Sequence, residues 1–230
     1  MTQDKHGCHS DISARAAEIL ADLRRHTVIA EDDRVTALDE SHMMYLLELG
    51  LERRPARVLE IGLGWGFSAS AIQRLGCVTS HVIVEIEQGS PRALQGERNV
   101  RATATARDAL QFLWGDSSVI LPGLYASGQQ FDLTLIDGGH RFDDVFVDFH
   151  FSRRMATARG VVLMDDMWMP SVRTVASWIE TNLSAQWTRL RTPPEASICA
   201  WEYLGTADRR SWDQFTPFEV ATCRPMQDRD

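Results

Sequence analysis

From Arg57 onward the chain alternates between short runs of aliphatic and β-branched residues and longer stretches with helical spacing. Arg57–Ile61 reads as a strand and 65–75 as a helix. His81–Glu85 reads as a strand and 90–100 as a helix. Leu110–Trp114, Phe131–Ile136 and Gly160–Met164 follow as strands, with helices over 117–125, 142–156 and 171–183. Two more strands are expected near 186–191 and 196–203. Strands joined by segments long enough to form a helix are joined as crossovers, which parallel pairing requires and hairpins do not. The pattern predicts an α/β fold with a parallel sheet, helices on both faces and right-handed crossovers.

Two helices are expected ahead of the alternation. One covers 11–25, with Ile12, Ala16, Ile19, Leu20 and Leu23 at helical spacing and Ser10 or Asp11 as its cap. The other covers 40–53. The segment 26–38, with Glu31-Asp32-Asp33, reads as a solvated loop. The tail from Gly205 is polar, but Trp212, Phe215 and Phe218 suggest that part of it docks on the body. The expected organisation is 1–54, 55–204 and 205–230.

Each of five successive strands ends with, or is closely followed by, a carboxylate: Glu60, Glu85, Asp116, Asp137 and Asp165. In an open α/β sheet, ligands bind outside the C-terminal strand ends. The acids are therefore expected to share one edge, where their mutual repulsion calls for a cationic or polyhydroxylated ligand. Any single one of them could instead cap the following helix.

The turn after the first strand is Gly62-Leu63-Gly64-Trp65-Gly66. Glycines there let the backbone approach a ligand and present amides at a helix start. The spacing is G-x-G-x-G, not the dinucleotide G-x-G-x-x-G, and Glu60 beside it opposes a pyrophosphate. No G-x-x-x-x-G-K-[ST] occurs, which disfavours nucleoside triphosphates.

The remaining composition narrows the partners. Arg and Lys total 24 against 32 acids, a net charge of −8, and lysine occurs once, at Lys5. No basic cluster exceeds a pair, so nucleic acid and anionic membranes are poor partners. No apolar run approaches a membrane span and the first residues carry no signal core. Cys8, Cys77, Cys199 and Cys223 lie far apart, as in a reduced cytoplasmic protein. His6, Cys8 and His9 read as terminal residues, not as a metal site.

The segments VLEIGLGWG, VIVEIE, WGDS, FDLTLIDGGH and GVVLMDDMW, in this order, resemble the motifs of class I S-adenosylmethionine (SAM) methyltransferases over about residues 40–203. The resemblance implies a Rossmann-like, seven-stranded, mostly parallel sheet with the last strand antiparallel and an N-terminal helical lid. It implies that Glu60, Gly62, Gly64 and Gly66 hold the methionine end of SAM. Glu85 would accept from the ribose hydroxyls. Trp114, Gly115, Asp116 and Ser117 would meet the adenine, and Asp137 the methionine portion or the reacting centre.

Asp137-Gly138-Gly139-His140 followed by Asp165-Asp166 resembles the small bacterial branch related to macrocin-type and catechol-type O-methyltransferases. That branch implies Asp137, His140 and Asp165 as catalytic residues acting on a small-molecule acceptor. It also implies Mg²⁺ held by Asp137, Asp165 and Asp166, and a homodimer. Open alternatives stand beside these roles. His140 is a general base or a helix cap, and Asp166 a metal ligand or a cap near Ser171. Asp143 and Asp144 read as helix-dipole partners, and Asp148 as solvent-facing. Met164, Met167, Trp168 and Met169 line an acceptor pocket or simply pack. Trp65 shapes the methionine pocket or touches the acceptor, and His42 and Tyr45 reach the site from the preceding helix. Two other functions stay open: an enzyme that consumes the aminocarboxypropyl group of SAM and releases methylthioadenosine, and a non-catalytic SAM-binding protein.

Overall fold

The computed structural model describes residues 4–30, 40–104, 107–194 and 196–220. The side chains of His6, Cys8 and His9, most of the acidic loop, Cys223 and the end of the tail lie outside the described residues. The elements run α1 (Asp4–His26), α2 (Glu40–Arg53), β1 (Arg57–Ile61), α3 (Phe67–Gln73), β2 (Ser80–Glu85), α4 (Pro91–Thr103) and β3 (Leu110–Trp114). They continue α5 (Ser117–Ala126), β4 (Phe131–Ile136), α6 (Phe142–Met155), β5 (Ala156–Met164), α7 (Pro170–Asn182), β6 (Trp187–Arg189) and β7 (Cys199–Tyr203). The seven strands form one sheet in the order β3-β2-β1-β4-β5-β7-β6. β1, β2 and β3 pair in parallel, as do β4 and β5, while β7 runs antiparallel to β5 and β6. This is the seven-stranded, Rossmann-like α/β arrangement.

Contacts divide the chain into two compact units, Met1–Gly115 and Asp116–Asp230. In the first, β1 and β2 are buried over nearly their whole length, which fits their lack of a strict apolar–polar alternation. Leu63, Ala69, Ile83 and Val100 form a cluster with Leu110, Phe112 and Trp114 packed against it. α1 and α2 pack on each other and on α3. α1 starts at Asp4, so Ser10 and Asp11 lie inside the helix and do not cap it. Periodicity located the buried stripe Ala16, Ile19, Leu20 and Leu23 but not the polar turns ahead of it.

In the second unit, Leu133, Leu135, Val161, Val162 and Leu163 of β4 and β5 are buried, with Val175 and Ile179 of α7 and Trp201 of β7. The tail docks in part. Asn182 Nδ2 donates to the Thr216 carbonyl and its Oδ1 accepts from Thr216 N, at 3.0 and 2.8 Å. Arg210 lies over the Trp178 ring. Trp212 takes no part in this docking and is 97% exposed.

Candidate functional site

In the first unit the glycine turn is built by close packing. Gly62, Gly64 and Gly66 all have positive φ, at 96°, 50° and 70°. A Cβ on Gly66 would meet the Gly96 carbonyl oxygen at 2.5 Å, and one on Gly96 would meet the Gly64 oxygen at 2.4 Å. The turn therefore rests on α4 at a glycine that the motif reading missed; a glycine inside a helix is the signal that could have revealed it. Asn99, one turn further along α4, donates to the Trp65 carbonyl at 2.9 Å and to the Val28 carbonyl at 2.8 Å.

Glu60 does not stand at an open rim. It is 0% exposed, accepts from the Ser68 hydroxyl, and lies 3.0 Å from His81 Nε2. His81 Nδ1 lies in turn 3.0 Å from Gln73 Nε2. β1 is covered on both faces, so a side chain on either face of it is buried. Glu85 is 6% exposed. Its Oε2 accepts from Leu63 N and Gly64 N at 2.8 and 3.1 Å, and its Oε1 from Glu87 N at 2.8 Å. The five acids thus share strand ends but not solvation. Glu60 and Glu85 are structural acceptors beneath the turn, and Asp116 is exposed.

Ile86 follows Glu85 and is 65% exposed. Glu85 pairs in register with Trp114, which stacks on Phe112 at 6.1 Å. An aliphatic and an aromatic side chain therefore end neighbouring strands. Gly115, with φ of 144°, donates its N–H to the Glu85 carbonyl at 2.8 Å.

In the second unit Asp116 caps α5, its Oδ1 accepting from Ser118 N at 2.8 Å. The Ser118 hydrogen bonds hold its carboxyl below the usual carboxylate range. Ser117 opens the helix and is half-buried.

The ends of β4 and β5 bring Asp137, His140 and Asp166 together. One donor atom from each lies within 4.8 Å of the others, and all three residues are half-buried. His140 Nε2 is 2.8 Å from Asp166 Oδ2 and 3.8 Å from Asp137 Oδ1. Asp137, then Asp166, hold the imidazole well above its ordinary pKa. Desolvation, followed by the charges of Asp165 and Asp166, raises Asp137 against the pull of His140. Trp168 Nε1 donates to Asp166 Oδ1 at 2.7 Å, and the Ser171 hydroxyl donates to the His140 carbonyl at 2.5 Å. Asp165 Oδ1 accepts from Asp166 N at 2.7 Å and is not in the three-residue group. Asp166 adopts φ of 55°, a left-handed conformation that aspartate tolerates better than most residues.

The structure closes several alternatives. α6 is capped by Arg141 and α7 by Met169, neither through its side chain, so His140 and Asp166 are not caps. Asp144 pairs with Arg141 at 2.8 Å in the first turn of α6. Met164 is fully buried and packs, whereas Trp168 is 47% exposed beside the acids. Tyr45 is buried within α2. Asp148 is not solvent-facing but 0% exposed. α6 buries the stripe Val145, Asp148, Phe149, Ser152 and Met155, and its polar members ride inward with the apolar ones.

Two carboxylates and an imidazole within this reach fit a divalent cation. The acids suit Mg²⁺, which keeps several waters, and the imidazole also suits softer first-row metals. No helix among the described residues is long and apolar enough to cross a membrane.

Residues 59–167 match the family described as a methyltransferase domain. The O-methyltransferase hkm8 of Aspergillus hancockii is 28% identical over 137 residues, 60% of this chain; the match spans about half of that relative, 53% of its length. Two solved structures share the fold. The O-methyltransferase TomG of Streptomyces achromogenes, involved in tomaymycin synthesis and solved with SAM, aligns with a TM-score of 0.54 at 18% identity, over 85% of this chain and 90% of its own. The Podospora anserina methyltransferase PaMTH1, solved with S-adenosylhomocysteine (SAH), aligns with a TM-score of 0.57 at 16% identity, over 88% and 97%.

Proposed function

From a chain whose residues 59–167 match a methyltransferase-domain family, we propose an enzyme that uses SAM to methylate a hydroxyl of a small molecule. The Asp137–His140–Asp166 cluster carries this reading. It gathers acceptors for a proton, or for a cation, at the ends of the strands where α/β sheets bind ligands.

The residues take distinct roles. Glu85 already accepts three backbone amides, and a carboxylate has about four lone-pair sites, which leaves capacity for a ribose hydroxyl. Ile86 and Trp114 offer the apolar surfaces that a flat base needs, and Gly115 follows Trp114 with a backbone free of a side chain. Glu60 acts from below, through Ser68 and His81, and keeps the turn in shape for the methionine end. SAM carries a sulfonium, a charge that the Asp137 carboxylate suits.

At the acceptor, the Asp137 carboxylate, its pKa raised by burial, takes the hydroxyl proton, and His140, held as an imidazolium by Asp137 and Asp166, offers its positive charge to the oxygen that results. Trp168 and Ser171 fix that geometry by holding Asp166 and the His140 backbone. Asp137 and Asp166, with Asp165 beside them, would hold Mg²⁺, which when bound lowers the pKa of the acceptor hydroxyl. The exposed Trp168 ring offers an aromatic acceptor a face to pack on. In-line approach of the oxygen to the methyl carbon then carries much of the rate.

Calorimetric titration of the protein with SAH tests the cofactor half of the reading, and micromolar binding is expected. Absence of binding at millimolar SAH would remove it. The Asp137→Asn variant tests the other half: it keeps SAH binding and loses turnover.

A further inference from the structure

Asn99 lies on α4, is 5% exposed, and joins that helix to two other segments of the first unit. Its Nδ2 donates to the Trp65 carbonyl in the glycine turn at 2.9 Å and to the Val28 carbonyl at 2.8 Å. Its Oδ1 accepts from Val28 N at 3.2 Å and from Gln95 Nε2 at 3.0 Å. An asparagine side chain has two N–H donors and two lone pairs on its oxygen, and here all four are used. Val28 follows α1 and its side chain is 59% exposed, so its place beside α4 depends on these backbone hydrogen bonds and on its buried neighbour Ile29. The Trp65–Gly66 peptide is held from both sides. Asn99 takes its carbonyl, and its N–H donates to the Leu63 carbonyl at 2.7 Å. Glycine at 66 tolerates φ of either sign, so this peptide could turn over if it were not held.

We infer that Asn99 is a positioning residue that couples the segment after α1 to the cofactor turn. The inference rests on the proposed reading of that turn as the seat of the methionine end of SAM. Asn99 keeps the Trp65 carbonyl facing α4, so the turn offers its ligand one backbone arrangement. The coupling is a free energy shared by the two segments, and it runs both ways. Ordering Val28 on Asn99 favours the turn that binds the cofactor, and cofactor in the turn slows the opening of Val28 from Asn99. Alanine at 99 breaks both links at once. Aspartate at 99 still accepts from Val28 N and Gln95, but it sets a second oxygen, with no proton to give, against two carbonyl oxygens.

The test is calorimetry with SAH at neutral pH, well below each melting midpoint, on the wild type, Asn99→Ala, Asn99→Asp and Asn182→Ala. Asn182 supplies the control, since its side chain also bonds a backbone N–H and carbonyl, those of Thr216 in the second unit. Asn99→Ala and Asn99→Asp are each expected to weaken SAH binding about tenfold, the loss of one or two hydrogen bonds read as affinity. Asn182→Ala should leave SAH affinity unchanged. Hydrogen exchange read by mass spectrometry gives a second readout that needs no variant. Saturating SAH should slow exchange of the wild-type peptide that contains Val28 by at least ~3-fold, and should not do so in Asn99→Ala. A wild type that binds SAH, with folded Asn99 variants that bind it equally well, overturns the inference and leaves the cofactor reading intact. Exchange at Val28 that is indifferent to bound SAH overturns it equally, and decides the matter if neither Asn99 variant folds. A wild type that binds no SAH removes the cofactor reading and this inference with it.

Discussion

Gly66 and Gly96 touch through the space that a Cβ would need: a methyl on Gly66 would stand 2.5 Å from the Gly96 carbonyl oxygen. One glycine belongs to the turn after β1 and the other to the middle of α4. The ligand-facing turn therefore depends on a helix that carries no recognisable motif. Overpacking of this kind costs about 1–3 kcal/mol. Gly96→Ala is expected to lower stability by about that much and SAH affinity by at least ~10-fold. Gly76→Ala supplies the control. Its φ is 72° with nothing near its Cβ, so it should lose about 1 kcal/mol from backbone strain alone and keep SAH affinity. Melting and calorimetry on both variants distinguish the two effects.

Glu60 and His81 form a buried pair with side-chain exposures of 0% each. Removing one partner strands the other away from water. His81→Ala is expected to cost about 2–4 kcal/mol. The same change should weaken SAM binding through the turn, because Ser68 shares Glu60 with His81. His81→Gln, which keeps a hydrogen-bonding group at that position, should recover part of both losses. Equal turnover at saturating SAM would mark the pair as positioning, and a kcat loss without a KM change would contradict it.

These two sites show what the sequence made legible. The boundaries of β1, β3 and β4 follow from apolar runs bounded by turn residues, and of these β1 and β4 are central strands buried over nearly their whole length. The strand-end acids and the glycine turn were visible as spacing along the chain. Burial of individual polar residues was not visible. Glu60 reads as a strand-end acid at the ligand edge and Asp148 as solvent-facing, but each is 0% exposed. Gly96 and the Trp168–Asp166 hydrogen bond join residues by three-dimensional proximity or local backbone shape, which no residue pattern encodes.

Asp148 also makes stability depend on pH. Its folded-state pKa is about 7 against an ordinary value of 3.8. Between those values the folded protein holds a proton that the unfolded chain has released. The contribution of this group to stability therefore falls as pH rises from about 4 to about 7, and levels off above that. The full effect is at most about 4 kcal/mol. Asp148→Asn removes the titration. Its advantage over the wild type should grow across that window, as measured by urea unfolding at pH 5, 6, 7 and 8. A constant difference would show that Asp148 is ionised throughout.

The acidic cluster divides into residues that touch the reacting atoms and residues that hold them. Asp137→Asn and His140→Ala are each expected to lower kcat by about 10²–10⁴-fold while SAH affinity stays within a few-fold. Trp168→Phe keeps an aromatic ring but loses the hydrogen bond to Asp166, and should lower kcat by a smaller factor, about tenfold. Chelation followed by readdition of Mg²⁺ or Mn²⁺ tests the cation directly. Turnover that falls with chelator and returns with metal is expected, and turnover indifferent to both would leave His140 and the carboxylates acting without a metal.

The most direct test of the central claim follows the fate of SAM itself. The purified protein is incubated with SAM bearing a trideuterated methyl group and a panel of hydroxylated aromatic and aliphatic acceptors, and the products are read by mass spectrometry. The account predicts SAH as the nucleoside product, and an acceptor carrying the labelled methyl on oxygen. Enzyme-dependent methylthioadenosine, with the aminocarboxypropyl group cyclised or transferred, would contradict it and make SAM the substrate at a different bond.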